Sequence, residues 1–279
     1  MERTLALIGF GEAGATFAEA AGWESAALAY DVNPARRPAM VEAGVVASAT
    51  PDSALASASL VLSLVTADSA LPAARDYAGL LAPGALFCDM NSVAPDTKRA
   101  AAHAIEAAGA HYVDVAVLAP VHPARLKVPL LVSGPQAAAA EAALREVGFV
   151  NVRMVGDEVG RASAIKMIRS VMVKGVEALT AEMMLAATKA GVADEVLASL
   201  DASEKTNSWF DRAPYNIERM VTHGLRRAAE MEESAKTLVS LGVEPLMTVG
   251  TVGRQRQQAG QPIAFEPQTL ENTSREPAE

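Results

Sequence analysis

The sequence predicts an α/β fold, a doubly wound and mostly parallel sheet followed by an all-α domain that a long helix joins to it. Three observations predict this. Short apolar runs alternate with alanine-rich amphipathic stretches up to about residue 157, a glycine-rich turn follows the first run, and beyond Gly156 the strand-like runs stop. The expected division is 1–157 for the sheet domain and 158–259 for the helical domain. Residues 260–279, polar and weakly periodic, are expected to form a poorly ordered tail.

The first strand is expected over 4–8. It runs into Leu7-Ile8-Gly9-Phe10-Gly11-Glu12-Ala13-Gly14, three glycines at the G-x-G-x-x-G spacing. Gly9 permits the tight turn, Gly11 lets the backbone approach a pyrophosphate, and Gly14 lets the helix that starts near Ala13 lie close to the strand. That helix N-terminus offers unpaired N–H groups and a positive dipole end to phosphates. The second strand, 26–30, ends at Asp31, twenty residues after Gly11. A carboxylate there accepts hydrogen bonds from a ribose diol and repels a 2′-phosphate. Together these features predict a Rossmann dinucleotide-binding unit that favours NAD, with NADP left open because Asn33, Arg36 and Arg37 follow closely and offer groups for a 2′-phosphate.

Further strands are expected at 45–46, 60–65, 85–89, 112–116 and 130–133. Pro83-Gly84 precedes one of them, Pro95 opens a helix that runs to 108, and Gly134-Pro135 closes a strand before the helix from Gln136. Residues 160–190 contain no proline and predict one helix of about 45 Å. Helices are also expected at 194–200, 217–241 and 245–259, and no internal repeat is visible.

Composition narrows the function. The 279 residues are 51% hydrophobic, enough for a substantial core. A net charge of −9 argues against nucleic acid or an anionic membrane as main partner and favours a small-molecule substrate. The single cysteine, Cys88, sits in an apolar run and reads as a packing residue. The chain opens on a strand instead of a basic, apolar leader, and no apolar run is long enough to span a bilayer, so the expected location is the cytoplasm. His103, His111, His122 and His223 lack metal-ligand spacing, and no metal is expected.

The stretch from Gly160 to Val176 carries the second signal. Ile165, Met167, Ile168, Val171, Met172, Val173 and Val176 surround the helix, which predicts that much of it is buried, while Lys166, Ser170 and Lys174 recur at i, i+4 and i+8. Burial lowers a lysine pKa and suits it to exchange a proton with a reacting oxygen. The alternative is a solvated face, with Lys174 paired to Glu177 and Lys166 reaching out to water.

These segments resemble the β-hydroxyacid dehydrogenase superfamily, which includes 3-hydroxyisobutyrate dehydrogenase and the cofactor domain of 6-phosphogluconate dehydrogenase. The resemblance covers about residues 1–250. It rests on Gly9 to Gly14, Asp89-Met90-Asn91-Ser92, Asp114 to Pro120, and Gly160 to Lys166, in the family's order. It implies that Lys166 is the catalytic lysine, that Ser170 stands where the family has an asparagine, and that Ser92 binds substrate. Phe10, Glu12, Ala13, Leu64, Val65 and Asn91 would contact the cofactor, as would His223, which stands where a lysine is usual. Leu118-Ala119-Pro120 replaces Ser-Gly-Gly in the substrate loop, so His122, Arg125 and Lys127 become candidate anion-binding groups beside Lys174. The run from His223 to Glu232 resembles the C-terminal domain of a less characterised branch. The resemblance further implies a homodimer built through the helical domain.

The expectation is an NAD(P)-dependent oxidoreductase that moves hydride between the nicotinamide and the alcohol or carbonyl carbon of a small hydroxy acid. Lys166 is the expected general acid/base, with Ser170 orienting the substrate oxygen. An imine reductase is one alternative, disfavoured by Lys166 because those enzymes usually carry another residue there. A non-catalytic NAD-binding scaffold is the other, prompted by the altered loop.

Overall fold

The computed structural model describes residues 4–203 and 208–261, so most of the expected tail lies outside the described residues. The chain divides into two compact units, Met1–Val171 and Met172–Glu279.

In the first unit the elements run β1 (Leu5–Ile8), α1 (Glu12–Ala21), β2 (Ala27–Tyr30), α2 (Arg37–Glu42), β3 (Val46–Ala47), α3 (Pro51–Leu55), β4 (Leu60–Ser63), α4 (Ala70–Tyr77), β5 (Leu86–Asp89), α5 (Pro95–Ala107), β6 (His111–Val117), β7 (Leu130–Ser133), α6 (Ala137–Glu146) and β8 (Val152–Gly156). The eight strands form one sheet in the order β3-β2-β1-β4-β5-β6-β7-β8. Pairing is parallel except between β6 and β7. The chain reverses direction across the sheet between β1 and β4, where a doubly wound sheet binds its ligand outside the carboxyl ends of the strands.

The central strands are buried on both faces, which is why β1 and β4 read as unbroken apolar runs instead of alternating ones. One face carries Leu7, Phe17, Val113, Val132 and Phe149, with Phe17 and Phe149 edge-to-face at 5.0 Å. The other carries Ile8, Val61, Phe87, Ile105 and Tyr112. The end of α1 is tied down where the Trp23 indole N–H donates to the Val147 carbonyl at 2.8 Å.

Strand β8 has no counterpart in the sequence prediction. It lies at the sheet edge and leaves Arg153 and Met154 exposed, so its run lacks the apolar continuity that marks the inner strands.

A long helix, α7 (Arg161–Ala190), crosses the division between the units; α8 (Ala193–Ser203), α9 (Trp209–Ser240) and α10 (Leu246–Gln258) follow. Helix α9 starts eight residues before the expected 217. Ser208 caps it, its hydroxyl accepting from the Asp211 N–H at 3.3 Å, and Pro214 is accommodated inside the helix. In the second unit Glu182 caps α10, its carboxylate accepting from the N–H groups of Met247 (2.7 Å) and Thr248 (2.9 Å) and from the Thr248 hydroxyl (2.6 Å).

The expected burial of the lysine-bearing helix is corrected by the structure. Ile168 is 73% exposed and Val171 77%, and Met172, Val173 and Val176 are exposed as well. Its apolar residues point in all directions, and one copy of the chain does not cover them all.

Candidate active site

The glycine turn and its surroundings form a cleft of about 530 Å³ at the ends of β1, β2 and β4. Gly9 has φ +87°, and a Cβ there would sit 2.6 Å from the Leu64 carbonyl oxygen, so only glycine fits. A Cβ on Gly14 would come within 2.9 Å of the Gly9 carbonyl, so this glycine serves packing within the turn. At Gly11 a Cβ would meet nothing within 4 Å. The turn therefore keeps open space at the start of α1, where a phosphate group meets helix N–H groups.

Asp31 does more than the sequence suggested. Its carboxylate accepts from the Phe10 N–H at 2.7 Å and the Asn33 N–H at 2.8 Å, so it braces the glycine turn while lining the cleft. Each oxygen keeps acceptor capacity for a ribose hydroxyl. Glu12, Ala13, Asn33, Leu64 and Val65 line the same cleft, whereas Phe10 turns its ring into the core. Tyr30, Arg36, Asp76 and Tyr77 complete the lining. Burial pushes the Tyr77 phenol above its ordinary range, reinforced by Tyr30, Asp76 and Asp31, so it stays protonated.

Four buried polar side chains, Ser63, Asp89, Asp114 and Ser133, are direct register partners on β4, β5, β6 and β7. Buried charge needs partners, and Lys98 on α5 provides them. Its ammonium, itself fully buried, lies 3.0 Å from Asp89 Oδ1 and 3.5 Å from Asp114 Oδ1, and donates to the Asp89 carbonyl at 2.6 Å.

Asp89 accepts from the Asn91 N–H at 2.9 Å and from the Tyr112 hydroxyl at 2.6 Å. Burial, with the Asp89 charge next to it, holds that phenol well above its usual range and therefore as a donor. The Asn91 amide donates in turn to the Ser63 hydroxyl at 3.0 Å. Asp89 thereby shapes the loop that carries Asn91 and Ser92.

Asp114 performs the parallel task for α7. Its Oδ2 accepts from the N–H groups of Gly160 (3.1 Å) and Ser163 (3.0 Å) and from the Ser133 hydroxyl (3.2 Å), and the Ser133 oxygen accepts from the Ala162 N–H at 3.0 Å. N–H groups that a helix start leaves without intrahelical partners are thus satisfied from the sheet.

The two devices meet at Lys166, whose ammonium donates to the Ser92 hydroxyl. One helical step further, Arg169 donates to the Leu118 carbonyl oxygen at 3.2 Å. Ser170 is half-buried on α7. The first unit thus brings together Asn91, Ser92, Lys166 and the loop at Leu118. Ala119 is half-exposed and Pro120 exposed in that loop.

Other predicted residues fall elsewhere. The His122 ring is paired with the Thr16 hydroxyl of α1 at 2.9 Å, which ties the loop to the helix of the glycine turn. Lys174 and His223 belong to the second unit, and both are exposed. The side chain of Glu177, the alternative partner for Lys174, lies outside the described residues.

Sequence reasoning did not single out Lys98, Ser133, Asp76 or Arg169. Asp89 and Asp114 inside apolar strands were the signal that could have pointed to Lys98, because such carboxylates are rarely buried unpaired.

The residues present fit a bound dinucleotide. The glycine turn leaves phosphate space, Asp31 offers acceptors, and the buried Asn91 carbonyl oxygen has no hydrogen-bond donor among the described residues. No group of His, Cys, Asp and Glu among the described residues could hold a metal ion, and no described helix is long and apolar enough to cross a membrane.

Comparison with known proteins agrees with this geometry. Residues 4–156 match the NAD binding domain of 6-phosphogluconate dehydrogenase, and residues 187–258 match a domain of unknown function, DUF1932. A conserved hypothetical protein from Sinorhizobium meliloti 1021 is 39% identical, with 92% of this chain and 88% of that one covered and a TM-score of 0.62. The conserved protein MTH1747, described as structurally similar to 3-hydroxyacid dehydrogenases, is 29% identical over 91% of this chain and 96% of that one, with a TM-score of 0.59. An imine reductase variant from Myxococcus stipitatus, solved in complex with NAD+, shares the fold at 17% identity, with 92% and 94% coverage and a TM-score of 0.75.

Proposed function

The chain belongs to the family of the NAD binding domain of 6-phosphogluconate dehydrogenase, and on that premise we propose that it oxidises the alcohol carbon of a small hydroxy acid, or reduces the corresponding carbonyl. The observation that carries this reading is the hydrogen bond from Lys166 to Ser92, which sets an amine and a hydroxyl side by side.

When bound, the nicotinamide supplies the hydride acceptor or donor. Lys166 does the complementary work. As the neutral amine it takes the hydroxyl proton during oxidation, and as the ammonium it returns that proton to the carbonyl oxygen during reduction. Ser92 shares a hydrogen bond with the same oxygen and limits its orientation. Ser170, one turn beyond Lys166, is the second orienting hydroxyl.

Asp31 supports NAD over NADP, because its carboxylate faces the cleft and Asp76 lines the same cleft with a second negative charge. The exposed apolar residues of α7 support a homodimer in which a second copy of this chain covers them. Light scattering at the monomer mass would overturn that assembly.

The test of function replaces Lys166 with methionine. Turnover of a hydroxy-acid panel should be abolished while NADH still quenches protein fluorescence, and wild-type initial rates should be higher with NAD+ than with NADP+. Retained turnover in K166M removes Lys166 from the chemistry.

A further inference from the structure

We propose that Arg169 is the side chain that anchors the substrate's carboxylate. This rests on the reading of Lys166 as the group that exchanges a proton with the substrate oxygen.

Arg169 lies three residues beyond Lys166 on α7, a spacing that places the two side chains on neighbouring positions of one helix face, about 5–6 Å apart at their Cβ atoms. Its Nη1 donates to the Leu118 carbonyl at 3.2 Å, which holds the guanidinium against the loop 118–120. That is its hydrogen bond among the described residues, and no described carboxylate lies within 4 Å of it. Most of the five N–H donors of a guanidinium therefore remain for a ligand.

The loop itself offers an anion little. Leu118, Ala119 and Pro120 have no polar side-chain atoms, the Leu118 N–H is spent on the Pro129 carbonyl at 2.9 Å, and Pro120 has no N–H. His122 is engaged with Thr16. The buried carboxylates Asp89 and Asp114 are matched by Lys98 and by backbone N–H groups, so they do not neutralise Arg169.

The planar fork of arginine pairs with a carboxylate through two parallel hydrogen bonds, which fixes direction as well as charge. With the carboxylate on Arg169 and the reacting oxygen on Lys166, the two ends of the substrate are held from neighbouring positions of one helix. A cationic iminium in the same place would face two positive side chains.

The test compares C3 to C5 2- and 3-hydroxy carboxylates with their primary amides as substrates for wild type, R169Q, R169K and K166M, following NADH formation. Wild type should prefer an acid over its amide. In R169Q that preference should collapse by about 10- to 100-fold, mostly through KM, and R169K should recover part of it. A merely structural role in holding the loop would lower acid and amide rates together and leave their ratio unmoved. An unchanged ratio in R169Q, with acids still oxidised and K166M inactive, overturns the role of Arg169 and leaves that of Lys166 standing. Turnover of imines or uncharged alcohols alone, or activity retained in K166M, overturns the underlying reading and this inference with it.

Discussion

The carboxylate of Asp114 accepts the backbone N–H of Ser163 at 3.0 Å, joining residues 49 apart in sequence. Through this bond a strand of the sheet fixes the first turn of the helix on which Lys166 stands. Lys98 counters the charge that the bond requires. Replacing Lys98 with methionine should destabilise the first unit by about 3–5 kcal/mol, because two buried carboxylates lose their cation. Ser133→Ala should cost only about 1–2 kcal/mol, the loss of hydrogen bonds at a buried site. Urea unfolding of the two variants checks the order; equal losses would show that an uncompensated buried charge costs this fold no more than a lost hydroxyl.

The glycine turn separates folding from binding. Gly11→Ala adds a Cβ that meets nothing within 4 Å at a φ of −81°, so its stability should stay within about 1 kcal/mol of wild type. The same side chain blocks the approach of a pyrophosphate, so the rise in melting temperature that NADH gives wild type should vanish. Gly9→Ala should instead lower the melting temperature without ligand, through its positive φ and the Leu64 carbonyl. Thermal melts with and without NADH distinguish the two.

The helical unit should be acid-sensitive at Glu182. Burial raises the pKa of this carboxyl, but hydrogen bonds from Thr248 and Met247 outweigh it and leave the group below its ordinary value of 4.5. A lowered folded-state pKa means stability that is present above the unfolded value and lost as pH falls below about 4.5 and through the folded value. Glu182→Gln should cost about 1–3 kcal/mol at pH 7 and flatten the dependence of stability on pH below 4.5. Denaturant titrations of both proteins across the acid range measure it.

Much of this was readable from residue order alone. Strand β7 matches its expected span, and β1, β2, β4, β5 and β6 each fall within two residues of theirs, because buried parallel strands are short apolar runs with clear punctuation. The glycine spacing identified the cleft because Gly9 and Gly14 answer local backbone demands, while Gly11 leaves the space between them open. Lys98, Ser133 and Arg169 were not readable in this way. Their partners come from strand register and from the placement of α7, which no local window encodes. The apolar surround of α7 misled in a different way, since hydrophobicity reports a preference for cover and is silent on whether that cover comes from the same chain.

The row of Ser63, Asp89, Asp114 and Ser133 has an evolutionary consequence. Neighbouring strands stand about 4.8 Å apart, so the sheet acts as a fixed ruler between the loop bearing Ser92 and the helix bearing Lys166. The exposed positions of the segment 118–129 are free to change composition without moving the marks on that ruler. A one-residue slip of β6 is not tolerated in the same way, because it would turn Asp114 to the opposite face and release α7. Substrate range in relatives of this chain should therefore diverge through loops and through residues such as Arg169, while the pairing of four strands holds the reacting groups in place.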